Sequence, residues 1–185
     1  MTKRELPALE GDRIILRLLK PADLPLTLSW RNEDQIRKWF LNTAILTADG
    51  HYTWFERYQE VDNDFIFIIV AKELDNLPVG QISLYGINWD NQTAEFGRLM
   101  IGEGQARGKG IAKEATYLLL DFGFRVMNLK EIVLEVKENN EAALAIYRTA
   151  GFNETSREMD LVRMSIRAES WHHDTESTKQ GGELS

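Results

Sequence analysis

The sequence predicts a mixed α/β (α+β) fold, one central and mostly antiparallel sheet flanked by helices. Three observations carry that expectation. Apolar segments starting at Asp64, Val79 and Thr93 follow one another through short turns, the pattern of an antiparallel meander. Two units then alternate strand pattern with helical spacing, Thr93 to Ile101 before a helix from Ile111, and Glu131 to Val136 before a helix from Asn140. A closing hairpin, Phe152 to Met159 and Leu161 to Arg167, completes the series.

The elements can be justified in order. Arg13 to Leu19 is β-branched and apolar with interspersed charge, so it reads as a strand. Pro21-Ala22-Asp23-Leu24 opens a helix, because proline is tolerated in a first turn and an acid suits that end. Leu24, Leu26, Leu28 and Trp30 give this helix its apolar side. A second helix is expected from Asp34 to Phe40, with Ile36, Trp39 and Phe40 inward, and a third from Ala48 to Gln59 carrying Trp54, Phe55 and Tyr58. Asp64 to Ala71 is continuously apolar, which predicts a strand buried on both faces. Glu73 to Pro78 reads as a turn, Val79 to Tyr85 as a strand, Asn88 to Gln92 as a second turn, and Thr93 to Ile101 as a third strand. Ile111, Ala115, Leu118, Leu119, Phe122 and Val126 recur at helical spacing, so a long amphipathic helix should run to about Met127. The helix from Asn140 to Ala150 is stopped by Gly151. One domain over residues 1–167 is expected. From Ala168 to Ser185 the periodicity is lost, which predicts a disordered tail.

Composition excludes several classes. The 185 residues include 29 acidic and 22 basic side chains, a net charge of -7, which argues against general nucleic-acid binding. With no cysteine, disulfides, thiolate metal sites and a cysteine nucleophile are impossible. The N-terminus lacks the apolar stretch of a signal peptide, and the longest apolar run, Phe65 to Ala71, is too short to span a bilayer, which takes about 20 residues as a helix. A soluble, cytoplasmic protein with no membrane partner is expected. His172 and His173 lie in the tail without partners nearby in sequence, so no metal site is expected.

The chemistry concentrates in Gly102-Glu103-Gly104-Gln105-Ala106-Arg107-Gly108-Lys109-Gly110, between a strand and a helix. The first N–H groups of a helix have no internal partner and its dipole favours an anion. Glycines allow positive φ and close approach, and Arg107 and Lys109 add positive charge. Two familiar phosphate loops fail. A P-loop needs glycine where Glu103 stands and Ser or Thr where Gly110 stands. A dinucleotide fingerprint starting at Gly108 needs a third glycine where Lys113 stands, and one starting at Gly102 needs it where Arg107 stands. The bland alternative is an ordinary glycine-rich turn.

What fits is Q-x-x-G-x-G over Gln105 to Gly110, and with it the sequence resembles the GCN5-related N-acetyltransferase (GNAT) superfamily. Asn140 to Phe152 matches that superfamily's N-x-x-A-φ-x-φ-Y-x-x-x-G-F helix, in the expected order and at the expected separation. The resemblance covers Arg13 to Arg167. It implies the GNAT fold and direct acetyl transfer from acetyl-CoA to an amine, with no metal and no covalent enzyme intermediate. The backbone of Leu99, Met100 and Ile101 would pair with the pantetheine arm. The amides of Ala106, Arg107, Gly108, Lys109 and Gly110, following Gln105, would hold the pyrophosphate. Asn140 would contact the pantetheine, and Tyr147 would protonate the departing thiolate. A backbone amide near Met100 or Ile101 would stabilise the oxyanion. Asn140 could instead be a helix cap, and Tyr147 a core aromatic.

The attacking amine must lose a proton. Glu95 is the first candidate base, Glu135 the second and His51 the third. The acceptor site falls to the N-terminal third, where Arg31, Asn32 and His51 are the candidate substrate contacts. Trp39 reads first as core. Trp30-Arg31-Asn32, then Arg37-Lys38-Trp39, a histidine before Trp54, and Ala94-Glu95-Phe96-Gly97 resemble the branch that acetylates nucleotide-linked amino sugars, as in the pseudaminic-acid pathway. The branch of ribosomal-protein alanine acetyltransferases, with polyamine acetyltransferases near it, is the other resemblance. A non-catalytic acetyl-CoA sensor is the alternative of another class. A monomer or homodimer is expected.

Overall fold

The computed structural model describes residues 6–172. Among them, in chain order, are strands β1 (Leu9–Glu10) and β2 (Ile14–Leu18), helices α1 (Leu24–Asn32), α2 (Asp34–Arg37) and α3 (Ala48–Glu60), and strands β3 (Phe65–Ala71), β4 (Leu77–Asn88) and β5 (Thr93–Ile101). Helix α4 (Ile111–Asp121), β6 (Glu131–Lys137), α5 (Glu141–Thr149), β7 (Asn153–Glu158) and β8 (Leu161–Arg167) follow. The eight strands form one sheet in the order β1-β2-β3-β4-β5-β6-β8-β7, antiparallel throughout except for the β5–β6 pair. The mixed, mostly antiparallel sheet expected from the sequence is therefore present.

All seven residues of β3 are buried, because both faces of the sheet are covered there. Phe65, Phe67, Ile69 and Ala71 belong to the main core with Ile111, Ala115 and Leu119 of α4. Ile66, Ile68 and Val70 face the other way, against Leu24 of α1 and Phe55 and Tyr58 of α3. The period-two geometry of a strand requires this division. A third, small cluster joins Trp30 and Ile36 to Met100 at the end of β5.

Several expected boundaries move. Leu77 and Pro78 lie in β4, not in a turn. Pro78 sits opposite Val70 at a register shift, where a missing amide donor is tolerated. The second helix is one turn, Asp34–Arg37, so Trp39 is left 36% exposed rather than buried in a core. The long helix ends at Asp121 and continues as a π-helical turn, Phe122–Val126. The first residues of the expected tail are structured. Ala168–Ser170 forms a 3-10 turn, and Trp171 is buried, its Nε1 donating to Asp121 Oδ1 at 3.2 Å and its ring against Tyr117 and Phe124. His172 is exposed, and His173 with the rest of the expected tail lies outside the described residues.

Candidate active site

The site arises from an interruption of the sheet. β5 and β6 pair only over Thr93–Glu95 and Glu131–Val133. Beyond Glu95, β5 stays with β4 as far as Ile101, while β6 stays with β8 as far as Lys137. The two strands splay apart, and a cavity of about 530 Å³ occupies the gap. Phe96 to Ile101 line one wall, and Glu135, Val136, Asn140, Ile146 and Tyr147 another. A β-bulge sharpens the bend. Ser83 opposes Gly97 and Gln81 opposes Met100, so two residues, Arg98 and Leu99, face one. Arg98 takes φ 52°, a cost accepted at such bulges.

The glycine-rich segment leaves β5 toward α4. Gly104–Ala106 forms a 3-10 turn that engages the Ala106 and Arg107 amides with the Glu103 and Gly104 carbonyls at 3.0 and 3.2 Å. This narrows the expected set of pyrophosphate donors to Gly108, Lys109, Gly110 and the first turn of α4. Gly108 and Gly110 have φ 73° and 78°, and a Cβ on Gly108 would meet open space, so the left-handed backbone is the reason for glycine there. Gly110 is the residue that caps α4. Arg13 braces the loop from below, donating from Nη1 to the Lys109 carbonyl at 2.9 Å and from Nε to Glu114 at 3.1 Å. Gln105 and Lys109 are exposed and do not line the cavity. Arg107 does not offer its charge to the loop. Its guanidinium donates to the carbonyls of Ile101 and Gly102, at 2.9 and 2.6 Å, and to Glu33 at 3.0 Å. It pins the end of β5 to α1 and α2.

The same junction explains Gly102. A side chain there would collide with the indole of Trp30, which is buried and donates from Nε1 to Glu103 at 3.0 Å. Trp30 is therefore a structural post between α1 and the loop.

Tyr147 and Asn140 come from the second motif. Asn140 caps α5, its side-chain oxygen accepting from the Ala143 amide at 3.2 Å, and it also lines the cavity. Both readings of this residue are compatible with its place. Tyr147 is 7% exposed, edge-on to Phe96 and Phe152 with centroids 5.5 and 5.9 Å away, yet it too lines the cavity. Burial, and then the nearby Tyr85, push its phenol well above the ordinary tyrosine range. It is an anchored ring with access to the gap.

Of the three candidate bases, two reach the cavity. Glu95 stands at the apex of the splay, opposite Tyr85 in the β4–β5 register. Glu135 lines the β6 wall but is paired with Arg163 at 3.0 Å. His51 does not line the cavity. It sits on α3, bonded to Thr27 Oγ1 at 3.0 Å and stacked on Trp54, and burial lowers its pKa, so it braces α3 against α1. Asn32 is likewise turned away, exchanging two 2.8 Å hydrogen bonds with the backbone of Leu46. Arg31 does line the cavity, with its guanidinium 4.0 Å from the Phe40 ring centroid and Nη2 donating to the Asn42 carbonyl. Its Nη1 is buried without a partner among the described residues. Trp39, Phe40 and Leu41 complete this side, and Lys137 Nζ ties it to β6 by donating to the Lys38 carbonyl at 2.8 Å. Among the described residues no cluster could hold a metal ion and no helix is long and apolar enough to cross a membrane.

Tyr85 and Arg98 are among the cavity residues that sequence reasoning did not single out. The available signal was Gly97, which sits against the Tyr85 ring.

Comparison with known proteins agrees with this fold. The chain is 41% identical to the spermidine N(1)-acetyltransferase of Escherichia coli K12 over 81 residues, 44% of this chain and 42% of that one. It is 30% identical to the Vibrio cholerae spermidine N(1)-acetyltransferase over 173 residues, 84% of this chain and 94% of that one. A Methanocaldococcus jannaschii protein of uncharacterized function is 29% identical over 151 residues, 80% of this chain. The chain spans less than half the length of the E. coli relative and 30% of the archaeal one. The crystal structure of the V. cholerae enzyme in complex with CoA and spermine superposes with a TM-score of 0.79 at 24% identity, covering 86% of this chain and 98% of that one, a likeness of fold. Residues 13–153 match the acetyltransferase (GNAT) domain, and the chain belongs to that family.

Proposed function

We propose that the protein transfers an acetyl group from acetyl-CoA to the primary amine of an acceptor that also carries an anionic group, a nucleotide-linked amino sugar. One observation carries the choice of acceptor. The helical side of the cavity, Arg31, Gln35, Ile36, Trp39, Phe40, Leu41 and Asn42, contains no carboxylate, and Arg31 there keeps a buried N–H without an acceptor. A guanidinium left short of a partner favours a phosphate oxygen, and exposed aromatic surface beside it suits a base.

The transfer follows from the placement of groups. The diverging edge of β5 offers unpaired backbone to the pantetheine arm, and Gly108 to Gly110 with the start of α4 offer amides to the pyrophosphate. Glu95 takes a proton from the acceptor's ammonium, and the freed amine attacks the thioester. Tyr147, whose raised pKa keeps it protonated, donates to the leaving thiolate as the tetrahedral intermediate collapses, and the second proton shed by the nitrogen restores the phenol. Metal plays no part in this scheme.

A polyamine acceptor is the second reading. It is favoured by the two spermidine acetyltransferase relatives and by the carboxylates of Glu95 and Glu135 in the cavity. One screen separates the readings. Thiol release from acetyl-CoA is measured with UDP-linked amino sugars, spermidine and N-terminal peptides, and thermal unfolding is followed with UDP alone. Turnover of the sugar nucleotide and a rise in melting temperature with UDP are expected. Turnover of spermidine alone, with no response to UDP, selects the second reading. Acetyl-CoA binding without turnover on any amine selects a sensor.

A further inference from the structure

We propose that Tyr85 is a positioning residue for acetyl transfer, its hydroxyl fixing the Glu95 carboxylate in the orientation that accepts the acceptor's proton. The inference rests on Glu95 as the base. Tyr85 and Glu95 are direct cross-strand partners on β4 and β5, so their side chains share one face of the sheet, and both line the cavity. Three neighbours hold the phenol in place. Gly97 leaves the room: a Cβ there would come within 3.1 Å of both Cε1 and the hydroxyl oxygen of Tyr85. The Arg98 guanidinium lies over the ring, 4.2 Å from its centroid. Asp64 in turn holds Arg98, with Nη1 to Oδ1 at 2.7 Å and both side chains largely buried. The φ of 52° at Arg98 belongs to the bulge that brings its side chain to this position. A bulge, a glycine and an ion pair thus converge on one phenol that no core packing requires.

The electrostatics agree with donation from phenol to carboxylate. Burial first, then the charge of Glu95 and a hydrogen bond to it, hold the Tyr85 hydroxyl up to about 12, with Arg98 opposing and Glu135 adding to the rise. Tyr85 therefore keeps its proton and serves as a fixed donor. The titratable groups that line the same cavity as Glu95 are Tyr85 from β4, Arg98 from β5, Glu135 from β6 and Tyr147 from α5, with Arg31 and Arg107 on its other side. In the transfer, one proton of the acceptor's ammonium passes to a Glu95 oxygen, the nitrogen lone pair attacks the thioester carbon, and the C–S bond breaks to expel the CoA thiolate, which takes its proton from Tyr147 while the nitrogen's second proton restores that phenol. The Tyr85 proton stays on its oxygen throughout.

The test combines kinetics with one spectroscopic signature. Tyr85→Phe, Glu95→Gln and the double variant are assayed with acetyl-CoA and either a UDP-linked 4-amino sugar or spermidine. Tyr85→Phe is expected to lower kcat about tenfold with the amine KM and acetyl-CoA affinity unchanged, and to cost less than about twofold in the Glu95→Gln background. Wild-type kcat in Glu95→Gln removes Glu95 as the base and ends the reading beneath the proposal. A slow Glu95→Gln beside a fast Tyr85→Phe, or a double variant slowed by the product of the two, overturns the proposal alone. Independently of any acceptor, the 13C signal of the Tyr85 phenolic carbon, assigned by its loss in Tyr85→Phe, is expected to move at neutral pH in Glu95→Gln. An unmoved signal shows that phenol and carboxylate do not touch. If Tyr85→Phe proves unstable, Gly97→Ala, which displaces the ring and keeps its hydroxyl, is expected to give the same loss of kcat; full activity there overturns the proposal.

Discussion

The two halves of the proposed site are built by different means. The proposed cofactor half consists of backbone: the free edge of β5 along the gap and, beyond it, the positive-φ glycines Gly108 and Gly110 before the first turn of α4. The proposed acceptor half consists of side chains carried by one-turn and nine-residue helices and the segment that follows them, with Arg31, Trp39 and Phe40 lining the gap. Backbone sites follow from local conformation and from which residues permit it. Side-chain sites depend on which way each group points after packing. The contrast explains why the donor was the easier partner to infer and the acceptor the harder.

The largest expected effect probes the point where the halves meet. Tyr147→Phe should lower kcat about 100-fold while acetyl-CoA affinity, measured by calorimetry, stays within about twofold, because proton donation is lost and the ring packing against Phe96 and Phe152 is kept. An unaltered kcat across the pH range would leave Tyr147 as a core aromatic. Next, Arg31→Ala should raise the acceptor KM about tenfold and leave acetyl-CoA affinity unchanged, which would make the two halves energetically separate. Equal losses for both substrates would show that Arg31 supports the whole cleft instead. On the cofactor side, Gly108→Ala should cost about 1 kcal/mol of stability through its left-handed backbone and weaken acetyl-CoA binding severalfold, without changing the acceptor preference. Wild-type affinity for acetyl-CoA would remove Gly108 from the pyrophosphate site.

The smallest effect concerns His51, which sequence reasoning placed among the substrate contacts and candidate bases. Since folding lowers its pKa by burial, the unfolded chain takes the proton first, and stability falls as pH drops through the ordinary histidine range near 6.5. His51→Gln should remove that component from the pH dependence of the melting temperature and leave kcat/KM nearly unchanged. A large loss of activity would return His51 to the mechanism.

Legibility in the sequence followed the range of the interaction. The glycine-rich segment, the Asn140 cap and the alternation of strands and helices are local, and each was readable because only a few residue types satisfy the backbone at those positions. Tyr85 and Arg98 were not readable, since their roles come from register across β4 and β5 and from a bulge that no single segment reveals. Arg107 was visible as a charge beside the loop, yet its direction was decided by the carbonyls of Ile101 and Gly102 and by Glu33, 74 positions away in sequence. Trp39 and Trp171 exchanged their expected environments for a similar reason. An early end to α2 exposed the first, and a groove lined by Tyr117 and Phe124 buried the second.

By itself, the sequence determined a mixed sheet flanked by helices and a glycine-rich loop before α4, the expected pyrophosphate site, because strand and helix periodicities and glycine's access to positive φ are properties of short segments. Only the tertiary structure decided where β5 parts from β6, that Glu95 and Tyr147 share the resulting gap, and that His51 and Asn32 do not line it. Those outcomes depend on side-chain directions set by contacts between distant segments, which no spacing along the chain encodes.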